Sequence, residues 1–284
     1  MTISHPYDSP HGPWLRGNLH THTTNSDGTL TPSEALELYA SHGYDFLCLS
    51  DHDVFTEPLA HASVVGIPGV EVSAGGPHLL AIGTRQPYNT ARSRGEIINE
   101  IVADGHLCVL CHPNWLSHYA HWEQAALEAL GPYHGIEIFN SVIDFLEGES
   151  HALDRWDRLL SKGRRLWGYA HDDFHRPGHG PRGWNMVCAE RRPEAIIEAL
   201  KAGRFYASSG VLFETIAVED DLFRVVAPDA QEIRFITKFG KVLAFAQGPE
   251  ASYRIQGNEG YLRAEAWGSA KQAAWTQPVF ISEG

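Results

Sequence analysis

From Leu15 to about Leu200 the chain alternates short apolar runs with segments whose apolar residues recur every three or four positions. Thr31-Pro32-Ser33-Glu34 reads as a capping box with proline at the first helical position. Leu36, Tyr39 and Ala40 supply that helix's apolar face, Gly43 stops it, and Tyr44–Leu49 follows as a buried strand. The pattern recurs: Ser93 and Glu96 cap a helix carrying Ile97, Ile98, Ile101 and Val102, Gly105 ends it, and Leu107–Cys111 forms the next strand. Leu153, Trp156, Leu159 and Leu160 mark a third helix closed by Gly163. Pro193 opens a fourth, with Ile196, Ile197 and Leu200 on its buried side and Gly203 after it. Strands separated by helices of this length predict parallel βα units, and seven or eight of them in about 200 residues favour a closed α/β barrel over an open sheet. The absence of a Gly-x-Gly-x-x-Gly turn supports the same choice.

After Ser208-Ser209-Gly210 the texture changes. Val211–Val218, Phe223–Val226, Ile233–Thr237, Val242–Phe245, Tyr253–Ile255, Tyr261–Ala266 and Ala274–Ile281 read as short strands divided by Gly, Asp, Pro and Asn, with no helical period. The expectation is a barrel over residues 1–210 and a small all-β appendage over 211–284. No linker intervenes, so the appendage should pack directly on the barrel.

Composition narrows the chemistry. Seventeen histidines stand against five lysines, and many of them lie beside Asp, Gly or Pro at the ends of apolar runs. A net charge of −13 argues against stable nucleic-acid binding, which needs clustered Lys and Arg to displace counterions. The four cysteines, Cys48, Cys108, Cys111 and Cys188, fall in apolar segments and read as buried thiols, which fits a cytoplasmic protein. No run approaches 18 apolar residues, and Met1–Trp14 lacks the order of a signal peptide, so a soluble protein is expected.

Metal-type ligands recur at the carboxyl ends of successive predicted strands. His20 and His22 follow the first, and in extended chain the i, i+2 spacing turns both imidazoles to one face. Asp27 lies in the next loop, His52 follows Tyr44–Ser50, Glu71 follows Val64–Val70, His112 follows Leu107–Cys111, and Asp173 and His175 follow Leu166–Ala170. His78 opens the strand Leu79–Gly83. In a parallel barrel these ends converge on one mouth. A set of imidazoles and carboxylates without thiolate suits two or three divalent Zn, Mn or Fe ions better than a Mg or Ca cage.

The runs His20-Thr21-His22-Thr23-Thr24-Asn25-Ser26-Asp27-Gly28, Leu49-Ser50-Asp51-His52-Asp53, Gly69-Val70-Glu71, Cys111-His112-Pro113 and Asp172-Asp173-Phe174-His175 resemble the ordered motifs of the polymerase and histidinol phosphatase (PHP) superfamily. The resemblance implies a distorted seven-stranded (β/α) TIM-like barrel with a two- or three-metal site, and most often hydrolysis of phosphate esters. It further implies that His20, His22, Glu71 and Asp173 hold one ion, that Glu71 bridges to a second held with His78 and His112, and that Asp27, His52 and His175 hold a third. Gly203–Gly210 and the segment Ala274-Trp275-Thr276-Gln277-Pro278 are similar to the branch that includes carbaryl (N-methylcarbamate) hydrolases. One departure is that only six residues separate Glu71 from His78, a tighter connection than in nucleotide-phosphatase members.

The reaction expected of such a set is attack on a small phosphate mono- or diester by a metal-bridging hydroxide, with a nearby imidazole protonating the leaving group. His171 and His179 flank the Asp173-x-His175 pair as candidate acids, and Arg176 and Arg182 are candidates to fork onto phosphate oxygens. Trp115, Trp122 and Trp184 could line an aromatic pocket, which would suit the alternative of carbamate or carboxylic-ester hydrolysis. A non-catalytic metal-binding interaction module is the second alternative.

Overall fold

The computed structural model describes residues 1–8 and 12–282, a mixed α/β chain with many strands and few helices. In chain order come β1 (Thr2–Ser4), β2 (Trp14–Asn18), α1 (Pro32–Ser41), β3 (Phe46–Cys48), β4 (Val65–Ile67), β5 (Gly69–Val72), β6 (Leu79–Ile82), α2 (Arg94–Ala103) and β7 (Leu107–Leu110). Then follow α3 (Gln124–Ala129), β8 (Gly135–Asn140), α4 (Leu153–Ser161), β9 (Trp167–His171), β10 (Trp184–Cys188), α5 (Pro193–Lys201) and β11 (Phe205–Ser208). The C-terminal part carries strands joined by turns: β12 (Thr215–Glu219), β13 (Leu222–Val226), β14 (Glu232–Thr237), β15 (Lys241–Gln247), β16 (Glu250–Arg254), β17 (Tyr261–Trp267), β18 (Ala273–Thr276) and β19 (Val279–Ser282).

Both capping boxes form as hydrogen bonds. Thr31 and Glu34 exchange side-chain and backbone contacts at the start of α1, and Ser93 and Glu96 do the same for α2. Gly43 and Gly105 follow these helices at φ of +72° and +81°, a conformation that costs a residue with a Cβ but not glycine. The short α3 lies outside the predicted elements: it has no side-chain cap, and six residues are too few for a helical period to show. The buried faces of α2, α3 and α4 join β6–β9 in one core, while Leu15, Phe46, Leu80, Val109, Tyr169 and Phe205 pack with α5 in a second.

Strand direction departs from the expected parallel series. β2, β3 and β4 are parallel, as are β7, β8 and β9, but β6 runs antiparallel to both β5 and β7, and β10 antiparallel to both β2 and β11. The cause at β6 is local: the residues between β5 and β6 contain no helix, so the chain reverses as a hairpin. The ladders form a five-stranded sheet, β5–β9, and an eleven-stranded one that includes β2–β4 and β10. Two isolated parallel bridges connect them, His52↔Glu71 and Thr21↔Phe174.

The outer edge of β9 is satisfied by side chains in place of a ladder. Asn185 of β10 accepts from Ala170 N at 3.1 Å and donates to Ala170 O at 2.9 Å. Gln277 does the same for Gly168, at 2.9 and 2.8 Å. Residues 168 and 170 turn their backbone groups to one edge, so two amides cap it and no buried N–H or C=O is left unpaired there.

The C-terminal strands pack directly on this body, as expected. β18 pairs β11, which carries the large sheet onward through β17, and β19 pairs β1, so residues 2–4 lie on the C-terminal sheet. A buried ion cluster joins α4 to β17: Arg263 reaches Asp157 through Nε at 2.9 Å and Nη2 at 2.7 Å, and Glu265 at 2.6 Å. Among the described residues no helix is long and apolar enough to cross a membrane.

Candidate metal centre

The strand ends assemble the nine predicted ligands at one mouth. His20 and His22 leave β2, His52 leaves β3, Glu71 is the penultimate residue of β5, His112 leaves β7, and Asp173 and His175 leave β9. His78 precedes β6; because β6 runs against its neighbours, its amino end lies at the mouth with their carboxyl ends. His112 and Asp173 hold φ of +30° and +53°, which re-aims each side chain where its strand stops.

Four atoms form the inner group. His20 Nε2 lies 3.2 Å from Glu71 Oε2 and 3.2 Å from Asp173 Oδ1, and His22 Nε2 lies 3.2 and 3.1 Å from the same two oxygens. Glu71 turns its other oxygen to a second group, with His78 Nδ1 at 3.1 Å and His112 Nε2 at 3.5 Å. Asp27 Oδ1 centres a third, with His175 Nε2 at 3.4 Å and His52 Nε2 at 3.7 Å. His52 also brings Nδ1 to 2.8 Å from Glu71 Oε2.

These residues fit divalent ions by a direct test. His20 Nε2, His22 Nε2, His52 Nδ1, Glu71 Oε2 and Asp173 Oδ1 are all buried and make no hydrogen bond. Buried polar atoms are rarely left so, because each forfeits its water without compensation. Here the unpaired lone pairs point at one another, the arrangement that a shared cation resolves.

Electrostatics agree. Burial opposes the charged state of His20, yet Asp173, Glu71 and Glu137 hold its pKa well above the ordinary value. Burial would likewise raise the Glu71 and Asp173 carboxyls, but the imidazoles around them keep both well below the usual range. Through its hydrogen bond with His175, Asp27 falls to about 2, while His175, against the effect of burial, is raised to about 9 by Asp27 and Asp173. The mouth therefore stabilises positive charge.

Sequence reasoning missed Glu137, a buried acid in β8. Its Oε1 accepts from His20 Nδ1 at 2.7 Å and His171 Nδ1 at 2.8 Å, and its Oε2 from His112 N at 2.7 Å and Asn140 Nδ2 at 2.8 Å. An ionised carboxylate only accepts, so both Nδ1 atoms carry protons and His20 presents its Nε2 lone pair to the inner group. A lone acid inside the apolar run Gly135-Ile136-Glu137-Ile138-Phe139 was the available signal, since a charge within a strand buried on both faces requires partners. His121 was missed too. Its Nε2 accepts from His78 N at 2.8 Å, which commits that lone pair to holding His78. Asp51 binds Thr23 N at 2.7 Å, Ser26 Oγ at 2.6 Å and Thr56 Oγ1 at 2.5 Å, tying together the loops that carry Asp27 and His52.

The four predicted catalytic residues separate. Arg176 and His179 line a cavity of about 450 Å³ with Asp27, His52, His78, His112, Asp173 and His175. Val142, Ile143, Leu146 and Trp115 form its apolar wall. His171 is fully buried behind His20, against Glu137, and does not line that cavity. Arg182 binds Asp144 at 2.6 Å and faces a second cavity of about 1040 Å³, so its guanidinium is not among the imidazoles. Of the three tryptophans only Trp115 lines the metal cavity. Trp122 is core and donates to His78 O at 2.9 Å, and Trp184 stacks under Arg16.

No family model matches the chain. A solved two-domain protein from Bacteroides vulgatus, described as containing a predicted PHP-like metal-dependent phosphoesterase, superposes with a TM-score of 0.55 at 17% identity over 93% of this chain and 95% of that one. The chain thus shares a PHP-like fold. An amidohydrolase from Chromobacterium violaceum aligns at a TM-score of 0.39 and 18% identity, over 57% of this chain and 88% of the other. In sequence, 72 residues are 42% identical to a 3',5'-nucleoside bisphosphate phosphatase of Chromobacterium violaceum, covering 23% of this chain. The match spans 25% of that curated relative's length.

Proposed function

We propose that this chain of PHP-like fold is a metal-dependent phosphoesterase that hydrolyses a small phosphate mono- or diester. The observation that carries this reading is the convergence of unpaired, buried lone pairs around Glu71, whose two oxygens face two ligand groups. His20, His22, Glu71 and Asp173 would hold one ion, Glu71, His78 and His112 a second, and Asp27, His52 and His175 a third. Bound Mn, Zn or Fe supplies Lewis acidity toward phosphoryl oxygens and lowers the pKa of water to near neutrality.

The chain's own residues do the rest. Glu137 fixes the tautomer of His20 and Asp51 holds the loops, so the donor set is positioned before substrate arrives. Arg176 supplies a fixed positive charge at the rim, suited to a phosphate oxygen. The wall of Val142, Ile143, Leu146 and Trp115 excludes water on one side and receives the organic part of the ester. A cavity of about 450 Å³ fits a metabolite-sized ester rather than a polymer. One P–O bond forms to water as another breaks to the alcohol, and the hydrogen of water ends on the alcohol. The similarity of a short segment to a bisphosphate phosphatase supports a phosphate substrate. A distorted seven-stranded barrel spanning residues 1–210, with 211–284 as its β-rich appendage, belongs to the same proposal and is supported by the bridges His52↔Glu71 and Thr21↔Phe174.

The test is metal-reconstituted protein assayed against p-nitrophenyl phosphate, its diester, adenosine 3',5'-bisphosphate and a p-nitrophenyl N-methylcarbamate. Turnover of phosphate esters that is abolished by chelation and restored by Mn or Zn is the expected outcome. Turnover of the carbamate alone assigns the site to carbonyl chemistry, and silence on all four at full metal occupancy overturns the enzymatic reading.

A further inference from the structure

His179, a residue that lines the metal cavity, holds an uncommitted hydrogen-bond donor. The Arg176 Nε–H donates to His179 Nε2 at 2.9 Å. A guanidinium has no lone pair to offer and stays protonated in proteins, so the nitrogen facing it must be the acceptor nitrogen of the ring. The ring's single proton is then on Nδ1. That atom is buried and has no hydrogen-bond partner, although the ring, 7% exposed, lines the cavity beside Asp173 and His175. A buried N–H without a partner forfeits its water with nothing in return, at a cost to the fold. A ligand oxygen in the cavity would remove that cost.

The ring is held from two further sides. Phe145 stacks on it at 5.2 Å between centroids with 22° between planes, and the Ser141 hydroxyl donates to the His179 carbonyl. Moving the ring proton from Nδ1 to Nε2 would set an N–H against the Arg176 N–H.

We propose that His179 contacts the substrate as an uncharged hydrogen-bond donor through Nδ1–H, stabilising negative charge on a substrate oxygen, and that Arg176 is the positioning residue that fixes this tautomer. The inference rests on the hydrolase reading above for its substrate but not for its tautomer. It differs from the general-acid role that the position of His179 in the sequence suggests. A neutral imidazole is a donor but a very weak acid, so the leaving group takes its proton from elsewhere.

Two substitutions separate the roles. His179→Asn places an amide N–H near the position of Nδ1–H, whereas His179→Leu removes the donor and keeps apolar bulk. In metal-loaded protein, with metal content checked for each variant, the Leu variant should lower kcat by roughly 10²–10³-fold for p-nitrophenyl phosphate and for an alkyl phosphate alike. The Asn variant should recover most of that loss. A loss confined to the alkyl ester, with no recovery by Asn, would establish a proton donor and overturn the proposal. Independently of turnover, ¹⁵N-histidine NMR of the zinc form should show His179 with a protonated Nδ1 and a bare Nε2, and Arg176→Gln should disturb that pattern. A protonated Nε2 or an imidazolium at neutral pH refutes the tautomer outright. If wild-type protein turns over none of the esters, the hydrolase reading fails while the NMR result still decides the tautomer.

Discussion

Replacing Glu137 with glutamine should weaken metal binding without touching a metal ligand. The carboxylate satisfies four donors, two on each oxygen: the Nδ1 atoms of His20 and His171 on Oε1, and His112 N with Asn140 Nδ2 on Oε2. Whichever way a glutamine amide turns, its NH₂ opposes two N–H groups that it cannot accept. If those are the two imidazoles, His20 is free to move its proton to Nε2, the atom that faces Glu71 and Asp173. The tautomer that binds a cation then has to be restored at a cost. Carboxylates behind metal-ligating histidines are worth about 10–100-fold in affinity, which is about 1.4–2.8 kcal/mol. The measurement is competition for Zn between the apo-protein and a chromophoric chelator, with circular dichroism confirming the fold. At saturating metal most of the activity should return. An affinity within about two-fold of the parent would refute the assignment of Glu137 as the group that orients His20.

Three further outcomes are expected. Asp157→Ala leaves Arg263, 1% exposed, with only Glu265 beside it, and breaking such a buried pair costs about 3–5 kcal/mol, less what Glu265 offsets; a urea midpoint that implies under about 1 kcal/mol would contradict this. His134 is lowered from 6.5 to about 4 by burial and by the charge of Lys201, and accepts from Cys108 N at 3.1 Å. Between pH 6.5 and 4 the unfolded chain therefore binds a proton that the folded chain refuses, so this residue's contribution to stability is full above 6.5 and declines toward pH 4. His134→Asn keeps an acceptor near the same place but does not titrate, so the melting-temperature advantage of the parent should shrink across that window; an advantage that stays constant refutes the shift. Arg182→Ala should leave KM for a phosphate ester within about two-fold, because Arg182 is bound to Asp144 over the other cavity, and a ten-fold rise would place it at the substrate after all.

Much of this protein could be read from residue spacing alone. The i, i+2 pair His20 and His22, both capping boxes, the stop glycines and the ligands at strand ends are local features, each set by the geometry of a few neighbouring residues. Strand direction was not legible at β6, because an apolar run of four residues looks the same whichever way it runs. The helix α3 was too short to have a period. Arg176 and Arg182 are indistinguishable in sequence, and the pairing with Asp144, far from both in the chain, sets the second of them apart.

The residue types and their order along the chain were enough to anticipate which nine side chains gather at one mouth, since a strand's end projects its next residues in a predictable direction. Only the folded chain decided what stands behind those ligands. Glu137 reaches His20 across 117 positions, and Gln277 caps Gly168 across 109. Partnerships over such separations depend on which strands lie side by side, and burial makes them obligatory: once water is excluded, a carboxylate, an imidazole or a backbone edge must be satisfied by whatever the tertiary structure brings to it.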